Sequence, residues 1–261
     1  MARTPFGSDS VVGGGQDHSQ LDIRQLGDKT VVTHPAVPPV GFSFYPRPID
    51  PVSGVRRVTI YIDGFNLYYA LLKPNPAVRW LDLAALAAAL RPGDTVSVRY
   101  FTAKVLRVPD PASEMRQRLY LKALETLPNV TVEFGHFTAH QVRMAFVTPP
   151  KNGPRTALVW KTEEKGSDVN IATRLLLDGQ DGLYDEAIVI SGDSDLVEPI
   201  REANRRYGPV HVRNPRDVHS DLAQAARSYG RLDPTLLAQC QLPETVHLPT
   251  GRSVTRPATW R

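Results

Sequence analysis

Hydrophobic and polar positions fall into a regular rhythm from about residue 55 onward. Val58-Thr59-Ile60-Tyr61-Ile62 is a short, β-branched apolar run closed by Asp63-Gly64, the pattern of a parallel strand buried on both faces. Asp82 then stands ahead of Leu83, Leu86, Ala87 and Leu90 at helical spacing, and Pro92-Gly93 ends that repeat. Residues 95–103 predict a second strand, Asp110-Pro111 opens a helix that ends before Pro128, and residues 130–137 predict a third strand. Two strand-like runs, 142–147 and 156–161, flank Pro149-Pro150-Lys151-Asn152-Gly153-Pro154, which marks an inserted β-hairpin. Residues 166–178 predict a helix with Ile171, Ala172, Leu175 and Leu176 on one stripe. A buried strand over 187–191 follows, then a helix to Tyr207 closed by Gly208, a short strand over 209–213 and a last helix over 222–229. Strands alternating with helices predict an α/β fold, three layers deep, with a mostly parallel central sheet.

Outside this rhythm the chain changes character. In residues 1–54, Gly13-Gly14-Gly15, the run His34-Pro35-Ala36-Val37-Pro38-Pro39, and Pro46, Pro48 and Pro51 break any periodicity. That segment is expected to be a flexible arm, with the folded domain over 55–215 and a C-terminal helix and extended tail over 216–261 packing on it.

Composition narrows the class. Of 261 residues 41% are hydrophobic, which excludes disorder of the whole chain. No run approaches the roughly 18 apolar residues of a membrane span, and MARTPFGSDS lacks the apolar core of a secretory signal. One cysteine, Cys240, excludes an internal disulfide and a cysteine-built zinc site. A soluble cytoplasmic protein without membrane partners is therefore expected. The net charge of +4 is compatible with a polyanion partner. Its distribution is uneven: ten basic against six acidic residues from Leu196 onward, but four against five in residues 1–55. The N-terminal segment is thus not a basic nucleic-acid-binding arm.

Candidate chemistry lies where strands end, because open α/β sheets bind ligands outside the carboxyl ends of their strands. One end reads Ile62-Asp63-Gly64-Phe65-Asn66, another Ser191-Gly192-Asp193-Ser194-Asp195, and Lys165-Gly166-Ser167-Asp168 opens a helix. Taken singly, each acid suits a turn or a helix cap. Together they predict a carboxylate cluster, whose mutual repulsion a cation relieves. Hard oxygen donors without His or Cys point to Mg²⁺ or Mn²⁺, and such a metal suits phosphodiester hydrolysis. Asn66 is expected to orient a phosphate or a metal-bound water, or to cap its own helix. Lys165, Lys161, Arg213 and Ser191 are the candidate nucleic-acid contacts, Lys165 foremost. The three Trp are scattered, so no stacking platform for bases is evident.

Those three blocks, in this order, resemble NYN-domain proteins of the LabA-like (DUF88) branch, relatives of the PIN nucleases. The resemblance spans residues 57–213, and Gln241-Leu242-Pro243 and Pro257-Ala258-Thr259-Trp260 also match that branch. It implies a PIN-like α/β/α fold and a Mg²⁺- or Mn²⁺-dependent endoribonuclease. Asp63, Asp168 and Asp193 carry over as metal-site acids, with Asp195 and Asn66 as supporting catalytic positions and RNA, single-stranded or structured, as partner. Where many relatives have a further acid six residues after Asp168, this chain has Arg174, which implies one metal rather than two. Arg174 is also suited to pair with an outer acid. The alternative is a non-catalytic RNA-binding module on the same fold, and the oligomeric state leaves a homodimer open. A haloacid-dehalogenase-type phosphatase fits less well, since its first strand needs a second Asp where Phe65 stands.

Overall fold

The computed structural model describes residues 54–107, 110–216 and 221–260, together with the backbone of two short strands further upstream. Those two, β1 (Ile23–Leu26) and β2 (Lys29–Val32), form an antiparallel hairpin within a unit separate from the main body. The expected flexibility of the rest of the N-terminal arm lies outside the described residues.

In the main body the central strands are β3 (Arg57–Asp63), β4 (Thr95–Thr102), β5 (Val130–Phe134), β8 (Glu186–Ile190), β9 (Val210–Asn214) and β10 (Ser228–Arg231). They form one sheet in the order β10-β9-β8-β3-β4-β5, and every neighbouring pair is parallel. β6 (His136–Ala145) and β7 (Thr156–Lys165) form the inserted hairpin. Helices cover both faces, which gives the three layers expected of a PIN-like fold. Among the described residues no helix is long and apolar enough to cross a membrane.

Alternation along the two innermost strands sorts the core. Val58, Ile60 and Ile62 of β3, with Ile188 and Ile190 of β8, point to one face. There they pack under α2 (Leu83–Leu90), α3 (Ser113–Leu124) and the C-terminal tail, whose Trp260 lies 6.2 Å from Trp80, ring centre to ring centre. Tyr61, Ala187 and Val189 point the other way, under α4 (Ser167–Gln180), α5 (Val197–Arg206) and α6 (Leu222–Ala225). The same alternation puts Asp63 and Ser191 on this second face, at the carboxyl edge of adjacent strands. Both are buried.

Two boundaries differ from expectation. The strand expected over 130–137 stops at Phe134, and the chain turns at Gly135 into the hairpin, which is longer than its Pro/Gly signature suggested. The helix expected over 222–229 ends at Ala225. Ala226 turns extended and residues 228–231 become β10, because hydrogen bonding to the free edge of β9 outweighs a helical pattern with few apolar positions. The tail continues through α7 (Pro234–Gln239) and a small hairpin of β11 (Thr245–His247) and β12 (Ser253–Thr255).

Candidate active site

Asp63 ends β3 and caps the short helix α1 (Gly64–Leu67): one carboxylate oxygen accepts from the Asn66 amide at 2.9 Å. The other accepts from the Ser191 hydroxyl at 2.9 Å. Ser191 in turn accepts from the Asp193 amide at 3.1 Å, and Asp193 caps the next turn by accepting from the Asp195 amide at 3.1 Å. The Asn66 side-chain oxygen accepts from the Gly192 amide at 3.1 Å. These bonds tie the ends of β3 and β8 together, so Ser191 and Asn66 hold the acids in place. The turn passes close to its neighbours: a Cβ on Gly64 would lie 2.6 Å from the Phe101 carbonyl oxygen, so the position requires glycine.

Burial pushes the Asp63 carboxyl above its usual range, and the charges of Asp193 and Glu164 push the same way, against the two hydrogen bonds it accepts. Glu164 belongs to this corner although the sequence did not single it out. It comes from the last turn of β7, where its Oε1 accepts from the amide of Ser167 at 3.1 Å and its hydroxyl at 2.7 Å. The available signal was a carboxylate three residues ahead of Ser167, at a helix start. Gly166, at φ +92°, supplies the left-handed turn between them.

The other expected site residues divide. Asp168 sits half-buried in the first turn of α4, while Asp195 is exposed in the turn after Asp193. Among the described residues no Lys or Arg pairs with Asp63, Asp168, Asp193 or Asp195. Lys161 pairs with Glu163 at 2.5 Å, and the exposed Lys165 lies 4.0 Å from the same carboxylate. Arg213 is engaged within the sheet, donating to the Val212 carbonyl at 3.0 Å and towards Ser228 at 3.5 Å. Arg174 does pair with an outer acid, Glu133, at 2.8 Å.

Among the described residues no three carboxylate, imidazole or thiol groups converge into a ready-made metal shell. The donor set is nevertheless the kind Mg²⁺ uses: it is held by one or two carboxylates, with water and substrate phosphate completing the octahedron. Asp63 and Asp193 fit that role: among the described residues neither pairs with a Lys or Arg, and the charge of Asp193 adds to the burial that raises the proton affinity of Asp63.

A cavity of about 290 Å³ opens from the other side of Gly64, between α1, α3 and the base of the hairpin. It is bordered by rings of Phe and Tyr that pack on one another. Phe65 lies 5.8 Å from Phe137 at an interplanar angle of 17°, and 6.3 Å from Tyr69 at 26°. These rings come from Phe and Tyr and meet between α1 and β6, so a search for grouped Trp misses them.

The model of the NYN domain matches residues 57–232, from the first residue of β3 to just past β10. This chain belongs to the NYN domain family. The match takes in all six strands of the central sheet and every acid of the carboxyl edge. This NYN protein is also 30% identical over 240 residues to the 6-hydroxy-3-succinoylpyridine 3-monooxygenase HspA of Pseudomonas putida, an alignment covering 78% of this chain and 75% of that one. A solved structure of a Vibrio parahaemolyticus protein of unknown function is similar at 19% identity and a TM-score of 0.45, covering 69% of this chain and 94% of that one.

Proposed function

We propose that this NYN protein, of the LabA-like branch, is a metal-dependent endoribonuclease of the cytoplasm. The observation that carries the reading is the buried Asp63, locked at the carboxyl edge with Asp193 and Glu164 beside it and no basic partner among the described residues. Asp63 and Asp193, with Asp168 of the first turn of α4, would hold one Mg²⁺ or Mn²⁺. The ion, when bound, supplies charge neutralisation at the scissile phosphate and an acidic water. The chain's own groups do the rest. Ser191 and Asn66 fix the direction of the carboxylates, Glu164 keeps the corner negative, and Lys165 and Lys161 offer exposed ammonium groups to the RNA backbone. Asp193→Asn tests this: RNA cleavage in Mn²⁺ is expected to fall by at least about a hundredfold while RNA binding persists. Undiminished cleavage would refute the assignment, and binding without cleavage by the unmodified protein would instead support a non-catalytic RNA-binding module.

The aromatic-bordered cavity favours one second reading, a protein acting on a small heteroaromatic acid of the pyridine class named for the Pseudomonas relative. Saturable binding of 6-hydroxy-3-succinoylpyridine, with no RNA bound or cut, would support that reading over the first.

A further inference from the structure

Phe137, Phe65 and Tyr69 make a row of three rings that the hydrophobic core does not need. Phe65 and Phe137 are only half-buried, and Tyr69 is 50% exposed. Phe65 and Tyr69 are four residues apart, Phe65 in α1 and Tyr69 in the π-helical turn that continues it, Tyr68–Leu72, so they share one side. Phe137 joins them from β6, where it stands directly across the ladder from Glu164. The row is thereby tied to the acid corner at two points: Phe65 follows Asp63 by two residues, and Phe137 faces Glu164. At its far end the Lys73 ammonium sits 4.8 Å from the centre of the Tyr69 ring, and among the described residues it has no carboxylate partner.

Stacked, partly exposed rings with a cation at one end and a carboxylate corner at the other match the chemistry of a nucleotide strand. Bases stack on aromatic faces with little regard to sequence, and an ammonium takes the phosphate between them. We propose that the Phe137–Phe65–Tyr69 row is the base-stacking platform for single-stranded RNA whose backbone runs past Asp63, with Lys73 as a phosphate contact. This rests on the RNA reading above and adds a substrate class to it, because bases already stacked in a duplex cannot reach the row. The cavity beside the row is large enough for one nucleotide rather than an extended ligand.

The experiment is fluorescence anisotropy with a short labelled oligouridylate, alone or annealed to its complement, against the full chain in EDTA. The single strand is expected to bind more tightly than the duplex. Tyr69→Ala and Phe137→Ala should each weaken it about tenfold, while Tyr69→Phe stays within about twofold. Lys73→Gln should reduce the salt dependence by about one ion. The proposal is overturned if both alanine variants bind as the unmodified protein does, if duplex and single strand bind alike, or if the oligouridylate binds no form of the protein. Its failure is separable from that of the nuclease reading. RNA cut by Tyr69→Ala at unchanged KM removes the platform alone; Tyr69-dependent binding with no cleavage in any metal removes the nuclease alone.

Discussion

Asp63 is a carboxylate whose surroundings favour its protonated form, and that has a definite sign. Its folded-state pKa lies above the ordinary aspartate range of about 4, so its contribution to stability is complete below that range and is lost as the pH rises through the raised value. In EDTA, Asp63→Asn is therefore expected to melt above the unmodified protein at pH 7, with the difference vanishing towards pH 4. Thermal melts across pH read this directly. The asparagine still accepts from the Asn66 amide and can donate to Ser191, so the gain is not lost to broken bonds. Added Mg²⁺ or Mn²⁺ should raise the melting temperature of the unmodified protein and not of the variant. A variant that melts lower than the parent at every pH would contradict the account of a carboxylate held protonated by burial and neighbouring acids. Ser191 is fully buried between two partners, and Ser191→Ala should cost about 1–3 kcal/mol in urea unfolding, because the Asp193 amide and Asp63 each lose a bond.

At the scale of elements, α4 is held to the sheet by a run of charges. The buried Asp178 accepts from the Tyr61 hydroxyl at 2.8 Å and from two nitrogens of Arg99, at 2.6 and 2.8 Å. Arg99 also reaches Glu133 on β5, to which Arg174 bonds from the outside. Arg174 thus closes this clamp on the solvent side. Asp178→Ala should destabilise by about 3–5 kcal/mol, since it leaves the buried Tyr61 hydroxyl unpartnered and Arg99 with Glu133 alone, whereas Arg174→Ala should cost less than about 1 kcal/mol. Urea titrations of the two variants distinguish a buried clamp from a surface pair. The strands carrying Asp63 and Asp193 were legible because their signal is local: a β-branched run, buried on both sides, followed at once by acid and glycine. The fate of residues 226–231 was not local, since it depends on an open edge of β9 that only the folded sheet provides. Nor was the hairpin's length, because residues 136–141 carry His, Phe, Thr, Ala and Gln with no apolar run to mark a strand. Glu164 and the Phe137–Phe65–Tyr69 row escaped for the same reason, as Phe137 meets Glu164 across the ladder 27 residues away and meets Phe65 only once β6 is in place.

Across the whole molecule the two ends of the sheet are treated differently. At the amino ends of the strands charges are neutralised: Arg57 pairs with Asp185 at 2.5 Å, Arg91 with both Asp94 and Glu186, and His211 lies 3.1 Å from Glu186. At the carboxyl ends Asp63, Asp168, Asp193 and Asp195 have no such partner among the described residues. That polarity is what a site for a cation and a phosphate requires, and it costs stability that a purely structural sheet would not give up. Among the described residues both halves of the core are drawn from residues 58–260, so a fragment covering 54–261 is expected to fold and melt cooperatively; an insoluble fragment would show that the upstream unit is part of the fold. The most direct test of the central claim is cleavage of a mixed, end-labelled RNA pool by the purified protein in Mn²⁺, Mg²⁺ or EDTA, beside Asp63→Asn. Cutting that requires the metal and disappears in the variant is the predicted result, and cutting that survives either EDTA or the loss of Asp63 would contradict it.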